Sequence, residues 1–317
     1  MGKTLKYLGI WFDGKLSFRE HFRQVAEKAT RVVGRLSRLM SNLGRPKEIL
    51  RRMMLSAALS ALLYGAPVWA DSVKIPYRRA EIEKVQRRAA LRCVSAYRTV
   101  STDALCVLAR TPPLELIAEE REVVFKAKKK ARTEREVLRV KREARHSLLR
   151  RWEEKLSQSQ KGAWTRVLIH NLDEWMNREH GQMNFHLTQV MSGHGCFNKY
   201  LHKMRFIDSP ICSHCEQGRD DDAEHTLFKC DAWRRERGKL ILSLSDIGVD
   251  EDLAPSSLVP IMLRSAKAWN RVSAFASKVM KQKMDAEWRR KMQSRAMASS
   301  TPMYHPSDEE EQGEDSS

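Results

Sequence analysis

Three cysteines and one histidine in the C-terminal half are spaced as ligands of a single metal ion. They are Cys212, Cys215, His225 and Cys230, in the pattern C-x2-C-x9-H-x4-C. Two thiolates separated by two residues can bind from one tight turn, and the histidine and the last cysteine then complete a tetrahedron. Four protein ligands leave no position for a reactive water. We therefore predict a structural Zn²⁺ that stabilises a small module; the alternative is free thiols in a reduced core.

Other cysteines and a second histidine compete with this ligand set. His214 lies inside the C-x2-C loop, where its reach toward the metal is poor, and Cys196 is a second competitor. Cys93 and Cys106 fall on helical patterns and are predicted to be small buried hydrophobic residues. The predicted ligands are therefore Cys212, Cys215, His225 and Cys230.

No catalytic residue is predicted from the sequence. It contains no G-x-S-x-G, no glycine-rich phosphate loop and no H-E-x-x-H. Asp220, Asp221 and Asp222 lie between the metal ligands, without the apolar hairpin that supports a polymerase Mg²⁺ site. We interpret this acidic run as a solvated loop.

The charge of the chain indicates a polyanionic partner. Lysine and arginine number 58 against 40 aspartate and glutamate, which gives a formal net charge of +18. Clustered basic side chains release counterions from nucleic-acid phosphates, so RNA and DNA are the expected partners. No apolar run is long enough to cross a membrane, and the N-terminus is not a signal peptide. We expect a nuclear and cytoplasmic protein in a reducing compartment.

The elements that position these residues are predicted to be mainly α-helical. Residues 6–12 and 15–18, joined by Asp13 and Gly14, predict a short β-hairpin, with a lone edge strand as the alternative. Helical periodicity follows in a thumb-like bundle, then in one long basic helix over about 114–156, and again beside the metal module. The predicted units are 1–112 (the bundle), 113–160 (the charged helix or linker), 161–245 (helices with the zinc module), 246–300 (C-terminal helices) and 301–317 (a disordered acidic tail).

Several motifs occur in an order that resembles a known family. They are KYLGI at 6–10, RLMSNLG at 38–44, LYGAPVWA at 63–70, GHGCF at 193–197 and EHTLFKC at 224–230. Together they resemble the C-terminal part of the Pol polyprotein of an arthropod non-LTR (LINE-like) retrotransposon. KYLGI resembles the segment after the polymerase palm. RLMSNLG and LYGAPVWA resemble the thumb, and GHGCF and EHTLFKC resemble the C-terminal knuckle region. The resemblance covers about residues 5–235.

The resemblance implies a reverse transcriptase, an RNA-directed DNA polymerase that copies element RNA at a nicked chromosomal target. In that family the Mg²⁺-binding aspartates lie in the palm, upstream of the stretch matched by this chain, and the endonuclease is N-terminal. We therefore expect either a truncated copy or one fragment of a larger product, inactive alone, with the rest of the polyprotein as a further partner. The spacer between the ligands is longer and more acidic than in retroviral knuckles, so a docking or folding role is expected for the module.

The leading hypothesis is therefore a thumb-plus-knuckle fragment that holds the backbone of a template–primer duplex without reading its sequence. The basic side chains of the long helix serve phosphate contact or nuclear import, or form an ordinary solvated face. The alternatives are a self-standing zinc-dependent RNA- or DNA-binding protein, a helical interaction scaffold and an expressed pseudogene product. The predicted nucleic-acid contacts are Arg23, Arg31, Arg35, Arg51, Arg52, Lys126, Lys128, Lys129, Lys130, Arg132, Lys141 and Arg142.

Overall fold

The computed structural model describes residues 4–38 and 47–299. Two strands, β1 (Thr4–Tyr7) and β2 (Ile10–Asp13), form an antiparallel hairpin before a series of helices. Residues 39–44 of the RLMSNLG motif and the predicted acidic tail at 301–317 lie outside the described residues. The helices are α1 (Arg19–Arg38), α2 (Glu48–Leu62), α3 (Ala66–Trp69), α4 (Pro76–Cys93), α5 (Thr102–Leu108), α6 (Leu114–Lys130), α7 (Glu134–Gln158), α8 (Ala163–Leu168), α9 (Leu172–Asn177), α10 (Phe185–Ser192), α11 (Asn198–Lys203), α12 (Arg234–Ser245), α13 (Pro255–Arg264) and α14 (Ala266–Ser299), with single turns at Ser72–Lys74, His225–Lys229 and Asp231–Trp233.

The predicted hairpin is present, but its turn is not at Asp13 and Gly14. The chain reverses at Leu8 and Gly9, whose φ angles of 45° and 81° are both positive, as a two-residue hairpin turn requires. Asp13 instead ends β2, and its carboxylate accepts hydrogen bonds from the backbone N–H groups of Lys15, Ser17 and Phe18. These bonds to the ionised form lower the pKa of Asp13. Asp13 therefore organises the loop that leads into α1.

The first helices pack as a bundle in which α1, α2 and α4 contact one another. Phe22, Val25, Ala29 and Val33 recur at steps of three or four along α1 and form its buried stripe. The ring of Trp69 in α3 meets Phe22 edge-on, with 5.3 Å between the ring centroids. The buried stripe leaves the polar sides of α1 at the surface, where most of its basic residues lie.

The charged stretch predicted as one long helix is two helices, and this part of the prediction was wrong. α6 ends at Lys130 and α7 begins at Glu134, and the two helices pack against each other as a hairpin. The hydroxyl of Thr133 accepts from the N–H of Glu136 at 3.2 Å, and the carboxylate of Glu136 accepts from the N–H of Arg132 at 2.9 Å. This reciprocal pair is a variant of the capping box, which starts a new helix. Arg151 and Lys155 of α7 then pair with glutamates of α6.

We expect Thr133→Ala to destabilise the α6–α7 hairpin by about 1 kcal/mol, because it removes the acceptor that caps α7. Chemical denaturation measures this as a lower midpoint with an unchanged slope. Ser147→Ala, at an exposed position within the same helix, is the control and should change the free energy of unfolding by less than about 0.5 kcal/mol. Equal midpoints for the two variants would contradict the capping role.

The C-terminal helices pack around α14, which contacts α10, α12 and α13. Trp269 of α14 stacks on Trp175 of α9 at 5.8 Å between centroids, and the guanidinium of Arg178 lies 3.8 Å from the Trp175 ring. Trp175 is fully buried and its ring N–H donates to the carbonyl of Val107, so this tryptophan belongs to the core. The mainly α fold class with an N-terminal hairpin is confirmed. None of the described helices combines the length and apolar character that crossing a bilayer requires.

Candidate metal centre and nucleic-acid interface

The four predicted ligands converge in the structure. The ligand atoms of Cys212, Cys215, His225 and Cys230 all lie within 4.8 Å of one another. The sulfur atoms of Cys212 and Cys230 are 3.9 Å apart, and the sulfur of Cys215 is 3.4 Å from Nε2 of His225. Zn–S bonds of about 2.3 Å in a tetrahedron place two sulfur atoms about 3.8 Å apart. The cluster can therefore hold a metal ion, with dimensions that suit Zn²⁺.

Two short backbone segments hold the ligands in place. The first is a tight loop in which the N–H of Cys212 donates to the carbonyl of Arg219 at 2.8 Å, and Gly218 takes a φ of 62° in open space. The second is the turn His225–Lys229, which the N–H of Cys230 closes by donating to the carbonyl of His225 at 2.7 Å. Both segments are short-range structures, so the sequence spacing alone brings the ligands together.

The thiols of Cys212 and Cys230 interact strongly with each other. The hydrogen bond between them lowers the pKa of Cys212, and the same bond raises the pKa of Cys230. The thiolate is the form that binds a metal. A cation at this position would replace the shared proton and favour thiolates at all three cysteines.

The competing ligands lie outside the cluster. The ring of His214 packs against Trp233, with 5.3 Å between centroids. The buried thiol of Cys196 donates to the carboxylate of Glu287 at 2.9 Å, and burial raises its pKa. Cys93 and Cys106 are buried as predicted, and burial raises the pKa of each to about 12.

The acidic run between the ligands is not simply a solvated loop, which corrects the sequence interpretation. Asp220 and Asp222 are partly exposed and pair with Lys199, but Asp221 is buried. Its carboxylate accepts from the ammonium of Lys283 at 2.6 and 2.7 Å and from the hydroxyl of Thr226 at 2.9 Å. Lys283 is itself buried in α14. This ion pair joins the metal module to the longest C-terminal helix. Its partners are 62 positions apart in the sequence, so sequence analysis could not predict it.

The predicted basic residues of the first helices separate into two groups. Arg23, Arg31 and Arg35 are exposed on α1, with Arg23 held 2.7 Å from both Glu20 and Glu27. Arg51 is only 4% exposed and donates to the carbonyl of Arg92 and the hydroxyl of Ser95. The prediction that Arg51 contacts phosphate was therefore wrong, because its guanidinium is used to join α2 to the end of α4.

Arg52 also has a structural role. Its guanidinium lies 3.1 Å from the buried carboxylate of Glu48 and 3.1 Å from the carbonyl of Ala109, which ties α2 to the end of α5. The side chain is 29% exposed, and its contact with phosphate stays a prediction.

The predicted basic residues of the charged helices lie at the surface around the α6–α7 turn. Lys126 pairs with Glu122 at 2.6 Å, and the ammonium of Lys129 lies 4.6 Å from the ring of Phe125. The exposed residues of this set are Lys126, Lys128, Lys129, Lys130, Arg132, Lys141 and Arg142. The hairpin thus presents a basic tip where the sequence predicted a continuous basic rod.

A groove between α1 and α4 carries basic residues that the predicted set omitted. We call it the α1–α4 groove; it has a volume of about 800 Å³ and no acidic side chain in its lining. Gly34 on α1 leaves open space along one wall. Six basic residues line it. Lys84, Arg87, Arg88 and Arg92 lie on α4, Arg38 ends α1, and Arg98 follows α4. The arginine-rich outer face of α4 is the sequence signal that could have identified this groove.

A second groove lies on the other side of α1, between the hairpin and α2. We call it the hairpin groove; its volume is about 770 Å³, and Lys6, Lys28 and Arg31 line it together with Trp11 and Tyr64. It also contains no acidic lining residue. α1 therefore separates two basic grooves.

Comparison with known proteins finds relatives among insect retrotransposon proteins. The chain is 27% identical over 295 residues to the putative 115 kDa protein in type-1 retrotransposable element R1DM of Drosophila melanogaster, covering 87% of the chain and 28% of that protein. It is 29% identical over 247 residues to a retrovirus-related Pol polyprotein from type-1 retrotransposable element R1 of Bradysia coprophila, covering 71% of the chain and 24% of that protein. A Pol polyprotein from R1 of Nasonia vitripennis is 25% identical over 237 residues, covering 69% of the chain and 68% of that protein.

The chain thus spans about a quarter of the length of the first two relatives. No protein-family profile matches it, and no solved structure matches it significantly.

Proposed function

We propose a function for this chain from the premise that it is a homologue of the Pol polyproteins of type-1 (R1) retrotransposable elements over most of its length. It is the nucleic-acid-binding C-terminal part of a retrotransposon reverse transcriptase, which holds the backbone of a template–primer duplex. A structural Zn²⁺ bound by Cys212, Cys215, His225 and Cys230 orders the C-terminal module. RNA, DNA and the rest of the polyprotein are the proposed partners, and a nuclear site of action follows from this role.

The observation that carries the proposal is the position of α1 between two basic grooves that lack acidic lining residues. A duplex has two phosphate backbones separated by a groove. A helix flanked by two rows of cations can lie along that groove while each backbone occupies one row. An RNA-containing duplex has a wide and shallow minor groove, which suits contacts to backbone and sugar. The exposed basic tip of the α6–α7 hairpin supplies further phosphate contacts.

The zinc module has a supporting part in this proposal. A closed Cys3His site has no position for a substrate or a water. Its role is therefore to order a short, loop-rich segment. The buried Asp221–Lys283 ion pair joins this segment to α14. The module fixes the geometry of the C-terminal helices while α1 and α4 bind the duplex.

Charge reversal in the α1–α4 groove tests the proposal. Arg88→Glu combined with Arg98→Glu should lower the affinity for an RNA–DNA duplex at least about tenfold at low salt. The slope of log affinity against log salt should fall by about one per lost contact. Both arginines are exposed, so the fold should be unaffected.

The matched control is Arg235→Glu combined with Lys267→Glu, which changes the net charge equally at exposed positions outside both grooves. This variant should bind nearly as tightly as the unchanged chain. Equal losses in the two double variants would mean that only net charge matters, and the groove assignment would then be wrong.

A further inference from the structure

Five aromatic side chains form a row where the first helices meet the C-terminal part. The ring centroids of Phe185 and Tyr97 are 5.6 Å apart, those of Tyr97 and Tyr200 are 6.2 Å apart, and those of Tyr200 and His194 are 5.0 Å apart. His186 extends the row beyond Phe185, at 5.6 Å. All five side chains are partly exposed. They are therefore neither a closed core nor isolated surface rings, and we call them the aromatic row.

The aromatic row and the α1–α4 groove share the chain segment around Tyr97. Tyr97 stands between Ala96 and Arg98, both of which line that groove. Tyr200 lies on α11, directly before the metal module. A strand that follows the basic groove past Arg98 therefore meets the row next and then approaches the module.

Hydrogen bonds hold the surface end of the row in one arrangement. The hydroxyl of Thr99 lies 3.0 Å from Nδ1 of His194 and 2.7 Å from the hydroxyl of Tyr200, and all three groups are at the surface. Thr99 follows Arg98 in the chain, so the same short segment contributes a wall of the groove and fixes the rings. A ring held in this way loses little conformational entropy when a ligand stacks on it.

The surroundings of three of the rings, His194, His186 and Tyr97, favour their uncharged forms, and cations lie near the two histidines. Burial lowers the pKa of His194 and of His186, and burial raises the pKa of Tyr97 to about 12. The positive charge of Lys203 acts on His194. Lys281 and Asp285 flank His186 with opposite charges. Neutral aromatic faces beside cations provide stacking for bases and attraction for phosphates.

We propose that the aromatic row is a stacking site for unpaired nucleotides of a strand that continues from the α1–α4 groove. This inference rests on the proposed function, because it requires that the groove holds a nucleic-acid backbone. The occupant is a single-stranded extension of the bound duplex, since every base has a face that can stack on an aromatic ring, whereas paired bases are not available. The row would thus bind the strand that leaves the duplex, without selecting its sequence.

The experiment compares a blunt RNA–DNA duplex with the same duplex carrying a short unpaired extension that contains 2-aminopurine. The full chain should bind the extended duplex about tenfold more tightly for each base that stacks, and the 2-aminopurine fluorescence should be quenched. Tyr200→Leu should lower the affinity for the extended duplex toward that of the blunt one and restore the fluorescence. Tyr200→Phe retains the ring and should keep both the affinity and the quenching.

Two further variants complete the test. His194→Leu removes another ring of the row and should act like Tyr200→Leu, so it serves if that variant fails to fold. Tyr77→Leu removes an aromatic side chain that is 64% exposed elsewhere on the surface, and it should change nothing. RNA and DNA extensions, tested separately, should both be bound.

The inference is overturned if the extension adds no affinity or no quenching in the unchanged chain. It is also overturned if Tyr200→Leu weakens blunt and extended duplexes equally, because the rings would then serve only as packing between the two parts. A different result, absence of binding to the blunt duplex at low salt, would instead contradict the proposed function.

Discussion

Chelation of zinc, or Cys230→Ser, should unfold the segment around residues 211–233 and should give the largest structural effect of any change considered for this protein. Few large apolar side chains are buried in that segment, chiefly Leu227 and Trp233. We therefore expect a bound metal to supply much of its order, since zinc-finger peptides bind Zn²⁺ with roughly 10–16 kcal/mol of free energy at neutral pH. Hydrogen exchange should show loss of protection in this segment, and elemental analysis should show one zinc per chain before chelation.

Cys196→Ser is the control for the zinc prediction. Its thiol is buried nearby but bonds to Glu287 and lies outside the ligand cluster. This variant should retain one zinc per chain and the protection of residues 211–233. If the unchanged chain contained no stoichiometric zinc, or if Cys230→Ser retained it, the cluster would not be a zinc site.

Lys283→Met should lower the free energy of unfolding by about 3–5 kcal/mol, because it leaves the carboxylate of Asp221 buried without its countercharge. Both side chains of the pair are 1% exposed. Asn198 and Thr226 would still donate to Asp221, but neither carries a charge. Adding Asp221→Asn to the variant should recover part of the loss, since the remaining group is then neutral. Chemical denaturation of the single and double variants measures this coupling.

Lys278→Met is the matched control for this second prediction. Lys278 also lies on α14 and also pairs with a carboxylate, that of Glu236 at 2.7 Å, but its side chain is 48% exposed. Solvent screens such a pair, so the loss should stay below about 1 kcal/mol. Equal losses at Lys278 and Lys283 would mean that the buried pair has no special part in joining the module to α14.

Features that depend on nearby residues could be predicted from the sequence. The four metal ligands converge because two short turns bring them together, and the stripe of α1 is buried because its apolar residues recur at helical spacing. The retrotransposon resemblance rested on ordered motifs and is confirmed by relatives over most of the chain. The division into structural units stays a prediction.

Features that depend on distant partners could not be predicted. In the sequence, Asp221 cannot be distinguished from the aspartates on either side of it, because its partner Lys283 is distant in the chain. Arg51 likewise cannot be distinguished from surface arginines, because its partner Ser95 is distant in the chain. The break between α6 and α7 is different, because Thr133 and Glu136 form a local signal that can be recognised in the sequence. Strong charge periodicity on both sides of the break favoured a continuous helix and concealed it.

The most direct test of the central claim is the affinity of the full chain for an RNA–DNA duplex, measured as a function of salt concentration. If the two grooves flanking α1 hold the backbones, log affinity should fall linearly with log salt, with a slope of about −0.9 for each phosphate contact. Five or more contacts would give a steep line, and chelation of zinc should shift it less than charge reversal in the α1–α4 groove. An affinity that hardly changes with salt would contradict backbone binding and would favour a helical scaffold for protein partners.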